Sequence, residues 1–260
     1  MGKALKDVHI VVTGASSGLG YAMAEALLDE GATVALASRP GSKLTQAVNE
    51  LKDKGYMAVF ELPLDVRSEE SVEEAVKWIK TEWGRIDVLI NNAGIGMRTV
   101  NPKFLTEPQP FFNVTPEGFR DLMDTNVTGY FLTSRGFAPL MAERGRGKII
   151  NISMNYETMK RKGFVPYGPS RAATESMSYI MAEDLRDFGV SVNMLLPGGA
   201  TLTGMIPNEV RKELEGNFEL LKPEIMAKAI VFLASEQSEG ITGERIVAAE
   251  FEKWLKQRSN

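Results

Sequence analysis

Short β-branched apolar runs alternate with helical stretches from one end of this chain to the other. Few patterns restrict a fold more, because strands alternating with helices build a parallel sheet covered on both faces. Val8-His9-Ile10-Val11-Val12 is the first such run, continuous as a strand buried on both sides should be. Leu19, Ala22, Met23, Ala26 and Leu27 then keep helical spacing, and Gly31 stands where that helix would stop. Further strands are read at 33–38, 57–64 (interrupted by Pro63), 87–90, 148–153, 191–196 and 245–249. Helices are read around Leu44 to Leu51, after the Ser68-Glu69-Glu70 cap, from Thr115-Pro116-Glu117 toward Glu143, after Tyr167, and over 224–234. The reading is one α/β domain over 1–260, a doubly wound parallel sheet of about seven strands with helices on both faces. Segments 95–114 and 202–217 fall outside the alternation and follow strand carboxyl ends, where ligands bind such sheets. They are expected to cover a substrate.

Composition removes several function classes. Lys plus Arg is 30 and Asp plus Glu 34, a net charge of −4, so a phosphate-binding basic face for nucleic acid is not expected. Cysteine is absent and His9 is the only histidine, which argues against thiolate chemistry, Ser-His-Asp catalysis and metal sites. A reducing cytoplasm fits this usage. No apolar run approaches the ~20 residues of a membrane span. The opening Met-Gly-Lys-Ala-Leu-Lys is too polar for a signal peptide, and Lys6 stands where myristoylation wants Ser or Thr.

Between the first strand and its helix lies Thr13-Gly14-Ala15-Ser16-Ser17-Gly18-Leu19-Gly20. Such glycines allow a tight turn and close approach of a pyrophosphate to backbone N–H groups at a helix N-terminus. The spacing is not the G-x-G-x-x-G fingerprint. Together with Asn91-Asn92-Ala93-Gly94, Asn126, Asn151-Ile152-Ser153, Tyr167 with Arg171, and Pro197-Gly198, it resembles the short-chain dehydrogenases/reductases. These motifs arrive in that family's order over nearly the whole chain. The resemblance implies a Rossmann-like fold, a nicotinamide dinucleotide, and hydride transfer between that cofactor and a carbonyl/alcohol pair. It implies cofactor contacts from Gly14, Ser16, Ser17, Gly18, Leu19, Gly20, Asp65, Val66, Asn92, Ala93, Gly94, Tyr167, Arg171, Pro197, Gly198 and Thr203. Ser38-Arg39 ends the second strand where an acid would favour NAD. A small hydroxyl followed by a guanidinium suits a 2′-phosphate, so NADP(H) is expected over NAD(H).

The same resemblance makes Tyr167 the general acid/base and gives Asn126 a water-holding role. It also predicts a lysine four residues after the tyrosine, and here that residue is Arg171. A free phenol titrates near ~10, so an adjacent cation is needed. Arg171 supplies the charge but does not readily release a proton. The family's carbonyl-holding hydroxyl falls on Met154, which cannot donate. Ser153, one residue earlier, points to the opposite side of an ideal strand and needs an irregular strand end to reach the site. Phe104, Phe111, Phe112, Met154, Met159, Phe164 and Met205 suggest a fairly apolar pocket for a small carbonyl or alcohol. Two functions stand open: an NADP-dependent oxidoreductase, or an NADPH-binding protein with impaired catalysis that serves as a sensor or assembly partner. By family analogy the long helices ending near Glu143 and Phe188 pair in a homodimer or homotetramer. The tail carrying Phe251, Trp254 and Leu255 docks on a neighbour or on its own chain.

Overall fold

Continuous apolar runs make parallel strands because each strand must bury both faces, and the computed structural model, which describes residues 3–204 and 220–258, follows that rule. Among the described residues, β1 (His9–Thr13), β2 (Thr33–Ser38), β3 (Val59–Pro63), β4 (Val88–Asn91), β5 (Gly147–Ile152), β6 (Val190–Leu196) and β7 (Arg245–Val247) form one parallel sheet. Its spatial order is β3-β2-β1-β4-β5-β6-β7. The chain therefore winds outward from β1 in one direction and restarts at β4 in the other. β1 and β4 pair in parallel, Val12 opposite Ile90, and the crevice beyond their carboxyl ends is the topological switch point.

Alternation along each strand divides the core into two layers. Ile10 and Val12 of β1, with Val34 and Leu36 of β2, face α1 (Gly18–Asp29), α2 (Ser42–Asp53) and α8 (Ala227–Ala234). Val11, Ala35 and Ala37 face the opposite layer, built on α3 (Glu69–Glu82), α5 (Gly129–Ala142) and α7 (Tyr167–Asp184). Each large aliphatic side chain buried here contributes about 1.5–3 kcal/mol. The described residues also hold α4 (Pro116–Met123), α6 (Tyr156–Met159) and α9 (Phe251–Arg258). No helix among the described residues is long and apolar enough to cross a membrane.

The structure corrects several boundaries. β3 starts at Val59 rather than 57, and Met57 is exposed. Pro63 is tolerated because it ends an edge strand, where a missing N–H leaves no buried partner. The single helix expected from 115 toward 143 is two helices joined by a π-turn at Asp124–Thr128. That widened turn carries the fully buried Asn126, and π-turns of this kind recur at functional sites. A 3-10 turn (Pro223–Met226) replaces the first part of the helix expected over 224–234, and β7 stops at Val247. The tail forms α9 and docks on its own chain. Phe251 stacks on Trp254 at 5.9 Å, and both rings lean on Phe232 of α8.

The entry to β4 is held by a charged knot. Asp87 accepts from the His9 N–H at 2.8 Å and from Arg144 at 2.9 Å, with Arg85 3.4 Å away. Burial disfavours the Asp87 carboxylate, but these donors outweigh it and hold its pKa below the ordinary value. Burial and then Arg85 push the His9 pKa below its ordinary value as well. A carboxyl depressed on folding stabilises the protein above its unfolded pKa of about 3.9, and that stability is lost as pH falls through the lower folded value. Asp87→Asn should therefore cost about 1–3 kcal/mol at neutral pH. Urea unfolding at neutral and acid pH checks it: the gap between variant and wild type should narrow in acid.

Candidate active site

At the switch point the chain packs backbone on backbone. Gly14 adopts φ +65°, and a Cβ there would sit 2.7 Å from Ala93 Cα. A Cβ on Gly20 would meet Asn92 Nδ2 at 2.5 Å and the Gly14 carbonyl at 2.6 Å. Thr13 Oγ1 accepts from the N–H groups of Asn92 and Ala93 at 2.9 and 3.0 Å, while Asn92 Nδ2 donates to the Thr13 carbonyl at 2.9 Å. The loop after β1 is thus locked to the end of β4 without side chains in the way. Ser17 precedes α1 with no side-chain cap on its N–H groups. This is a cradle into which a pyrophosphate fits. Ser16 and Ser38 share a hydroxyl contact of 3.2 Å beside the exposed Arg39. Asp65 lies further along the same edge, held below its ordinary pKa chiefly by Arg67 at 3.0 Å. Val66 is buried against Gly129.

Tyr167 opens α7 and Arg171 follows one turn later on the same face. Gly168 lets that turn press on α6, since a Cβ there would overlap the Met159 carbonyl at 2.0 Å. Arg171 is 3% exposed. Its Nη1 donates to Tyr130 Oη at 2.9 Å and to the Ile152 carbonyl at 3.0 Å. The guanidinium carbon is 5.5 Å from the ring centroids of both Tyr130 and Tyr167. Burial opposes its charge, but Tyr130 and Tyr167 outweigh that and raise its pKa. Burial pushes the Tyr130 hydroxyl up, with Arg171 opposing. Arg171 Nε is the buried side-chain atom left without a hydrogen-bond partner among the described residues. An orphaned donor of this kind costs about 1–3 kcal/mol, so stability alone does not explain an arginine here.

Asn126 fixes the segment after β4 from below. Its Oδ1 accepts from the Ile95 N–H at 2.9 Å, and its Nδ2 donates to the Ile95 carbonyl at 3.0 Å and to Ser170 Oγ at 3.2 Å. Above it opens a cavity of about 460 Å³ lined by Leu19, Asn92, Tyr167 and Arg171, with Ser153 and Met154 on its wall. Pro197 and Thr203 border it too. Gly198, at φ +102°, sits against Val247 and Ala249, and its carbonyl accepts from Asn155 at 2.9 Å.

The sequence pattern of the short chain dehydrogenase family matches residues 8–214. A 3alpha-hydroxysteroid dehydrogenase of Mediterraneibacter gnavus is 31% identical over 248 residues, covering 92% of this chain and 94% of that one. The chain belongs to the short-chain dehydrogenase family. Among solved family structures, the gluconate 5-dehydrogenase of Burkholderia cenocepacia with NADP and tartrate superimposes with a TM-score of 0.82 at 25% identity, covering 97% of this chain and 98% of that chain. The 3-ketoacyl-(acyl-carrier-protein) reductase of Brucella melitensis with NADH gives 0.79 at 28% identity, covering 93% and 96%.

Within this short-chain dehydrogenase the expected apolar pocket is only partly assembled from the residues named for it. Phe104, Met154 and Phe164 line the cavity, joined by Met97 and Leu105. Phe111 and Phe112 do not, being 69% and 73% exposed and packed edge-to-face on each other. Met159 is also absent from the wall, where Thr158 stands instead. Met205 and most of the segment 202–217 lie outside the described residues. Because β5 ends at Ile152, the chain bends there and both Ser153 and Met154 reach the cavity. Ser153 Oγ donates to Glu175 Oε1 at 2.5 Å, and the same oxygen accepts from Arg245 Nε at 2.8 Å.

Sequence reasoning missed Tyr130, Glu175 and Arg245. Tyr130 is one helical turn beyond Asn126, a spacing that offered a signal. Glu175 repeats the Tyr167-Arg171 step once more along α7. Nothing local links Arg245 to a partner 70 residues away.

Proposed function

We propose that this protein is an NADP-dependent reductase or dehydrogenase of carbonyl/alcohol pairs with a fairly apolar substrate. The observation that carries the reading is Tyr167 beside the buried cation Arg171 in a cavity that Leu19 and Asn92, from the glycine-rich side, also line. When bound, the dinucleotide supplies hydride to the substrate carbon or removes it. Gly14, Gly18 and Gly20 leave the backbone open to its pyrophosphate, with Ser16 and Ser17 beside it. Asn92, Ala93, Gly94 and the Pro197-Gly198 turn line its ribose and nicotinamide side. Tyr167 gives its phenolic proton to the substrate oxygen in reduction and takes it back in oxidation. Arg171, held by Tyr130 and the Ile152 carbonyl, is the fixed positive charge beside that phenol. Asn126 keeps the Gly94-Ile95 backbone in place under the site. The test is ketone-dependent NADPH oxidation by wild type, Arg171→Lys and Arg171→Met. The lysine variant should keep turnover and the neutral methionine should lose it.

Arg39 and Ser38 carry the cofactor preference in this reading. Losing a guanidinium that pairs with the 2′-phosphate removes a charge-assisted contact of about 1.5–3 kcal/mol. Arg39→Ala should weaken NADPH about tenfold or more and leave NADH nearly unchanged, as read by fluorescence titration. Equal loss for both dinucleotides would contradict it. A soluble cytoplasmic oligomer suits the same reading, with exposed Phe131, Tyr179, Ile180 and Phe188 on and beside α5 and α7 as its contact surface.

A further inference from the structure

A serine has one proton to give, and in this site that proton is already engaged. Ser153 is 7% exposed, and its Oγ–H donates at 2.5 Å to the Glu175 carboxylate, itself 5% exposed. A carboxylate only accepts, so the direction of the bond is fixed by chemistry. Arg245 closes the arrangement. Its Nε donates to the same Glu175 oxygen at 2.8 Å, its Nη2 donates to the Met154 carbonyl at 2.7 Å, and its guanidinium lies 3.8 Å over the Tyr156 ring. The Ser153 N–H is held as well, by the Leu195 carbonyl at 2.9 Å. Turning the Ser153 hydroxyl toward a substrate would strip one donor from a buried carboxylate.

What Ser153 has left to offer the cavity is therefore the lone pairs of Oγ. We infer that Ser153 acts as a hydrogen-bond acceptor in the substrate cavity and selects substrates bearing a hydroxyl next to the reacting carbon: α-hydroxy ketones in reduction, vicinal diols in oxidation. The inference rests on the reductase reading above and names its substrate class. Tyr167 and Ser153 line one cavity with complementary capacities. The phenol gives a proton to the carbonyl oxygen, and the serine receives one from the neighbouring hydroxyl. A buried acceptor also discriminates, because a substrate without the hydroxyl leaves it unpaired. Glu175 and Arg245 are positioning residues in this account: they touch no substrate and set the direction in which Ser153 hydrogen-bonds.

Three matched ketones test this without any variant: 2-hydroxyacetophenone, 2-methoxyacetophenone and acetophenone, with NADPH. The methoxy compound keeps the oxygen but cannot donate. Wild type should favour the hydroxy ketone in kcat/KM by about tenfold or more over both others. Ser153→Ala should collapse that ratio. A methoxy ketone used as well as the hydroxy ketone, or a ratio unchanged in Ser153→Ala, would overturn the inference. Calorimetric binding of the same ketones to the NADP⁺-loaded protein repeats the comparison without turnover. Failure of the reductase reading appears separately, as nucleotide binding with no ketone reduced; the calorimetric ranking then still decides the role of Ser153.

Discussion

Tyr167→Phe should reduce ketone-dependent NADPH oxidation by about 10²–10⁴-fold while the protein folds normally. The substitution deletes one oxygen and keeps the ring, whose packing against Phe164 at 6.3 Å is unaffected. What disappears is the group able to pass a proton to the substrate oxygen. Arg171 does not take over, since it is 3% exposed, its Nη1 is held by Tyr130 and the Ile152 carbonyl, and a guanidinium does not release its proton at neutral pH. Ser153 does not take over either, because its hydroxyl proton is already donated in a hydrogen bond to Glu175. Steady-state rates with a saturating ketone, beside a nucleotide titration, separate lost chemistry from lost binding. Undiminished turnover would mean the proton comes from elsewhere.

Gly14→Ala should abolish nucleotide binding at concentrations that saturate wild type. Two costs coincide at this residue. Its φ of +65° strains any L side chain by roughly 1–2 kcal/mol, and its new Cβ would lie 2.7 Å from Ala93 Cα, in a residue whose N–H is held by the Thr13 hydroxyl. Relief requires the glycine-rich loop to lift away from Asn92 and Ala93, which disrupts the cradle itself. Gly145→Ala is the control, because Gly145 has φ +63° but open space around its Cβ. Both variants should melt below wild type, and only Gly14→Ala should lose nucleotide affinity. Equal affinity in the two would remove the loop from the cofactor site.

Much of this was legible in the residues because the physics was local. Val8 to Val12 and Lys148 to Ser153 read as strands since a doubly covered parallel strand has no polar face to confuse the pattern. Gly14 and Gly20 marked the turn because a side chain there would block that approach, and Gly18 because its φ of +58° favours glycine. Asn126 was singled out, but the π-turn that buries it was not, since a single extra residue in a helical turn leaves no trace in hydrophobic spacing. Phe111 and Phe112 misled because apolar character alone does not say which side of a loop faces a cavity. The setting of Ser153 was out of reach for a different reason. It depends on Glu175 from α7 and Arg245 from β7, which meet only when the sheet is complete. Tyr130 became a partner for Arg171 the same way, through α5 and α7, which both pack on β5.

The central claim is that this short-chain dehydrogenase transfers hydride and does more than bind a dinucleotide. Incubating the wild-type protein with NADPH deuterated at nicotinamide C4, in each stereochemical form, and 2-hydroxyacetophenone tests it most directly, with the product read by mass spectrometry. The account predicts deuterium on the carbinol carbon from one form and not the other, formed about 10²–10⁴-fold more slowly with Tyr167→Phe. Tight NADPH binding with no deuterium in product from either form, across a panel of ketones, would contradict it and leave a nucleotide-binding protein without catalysis.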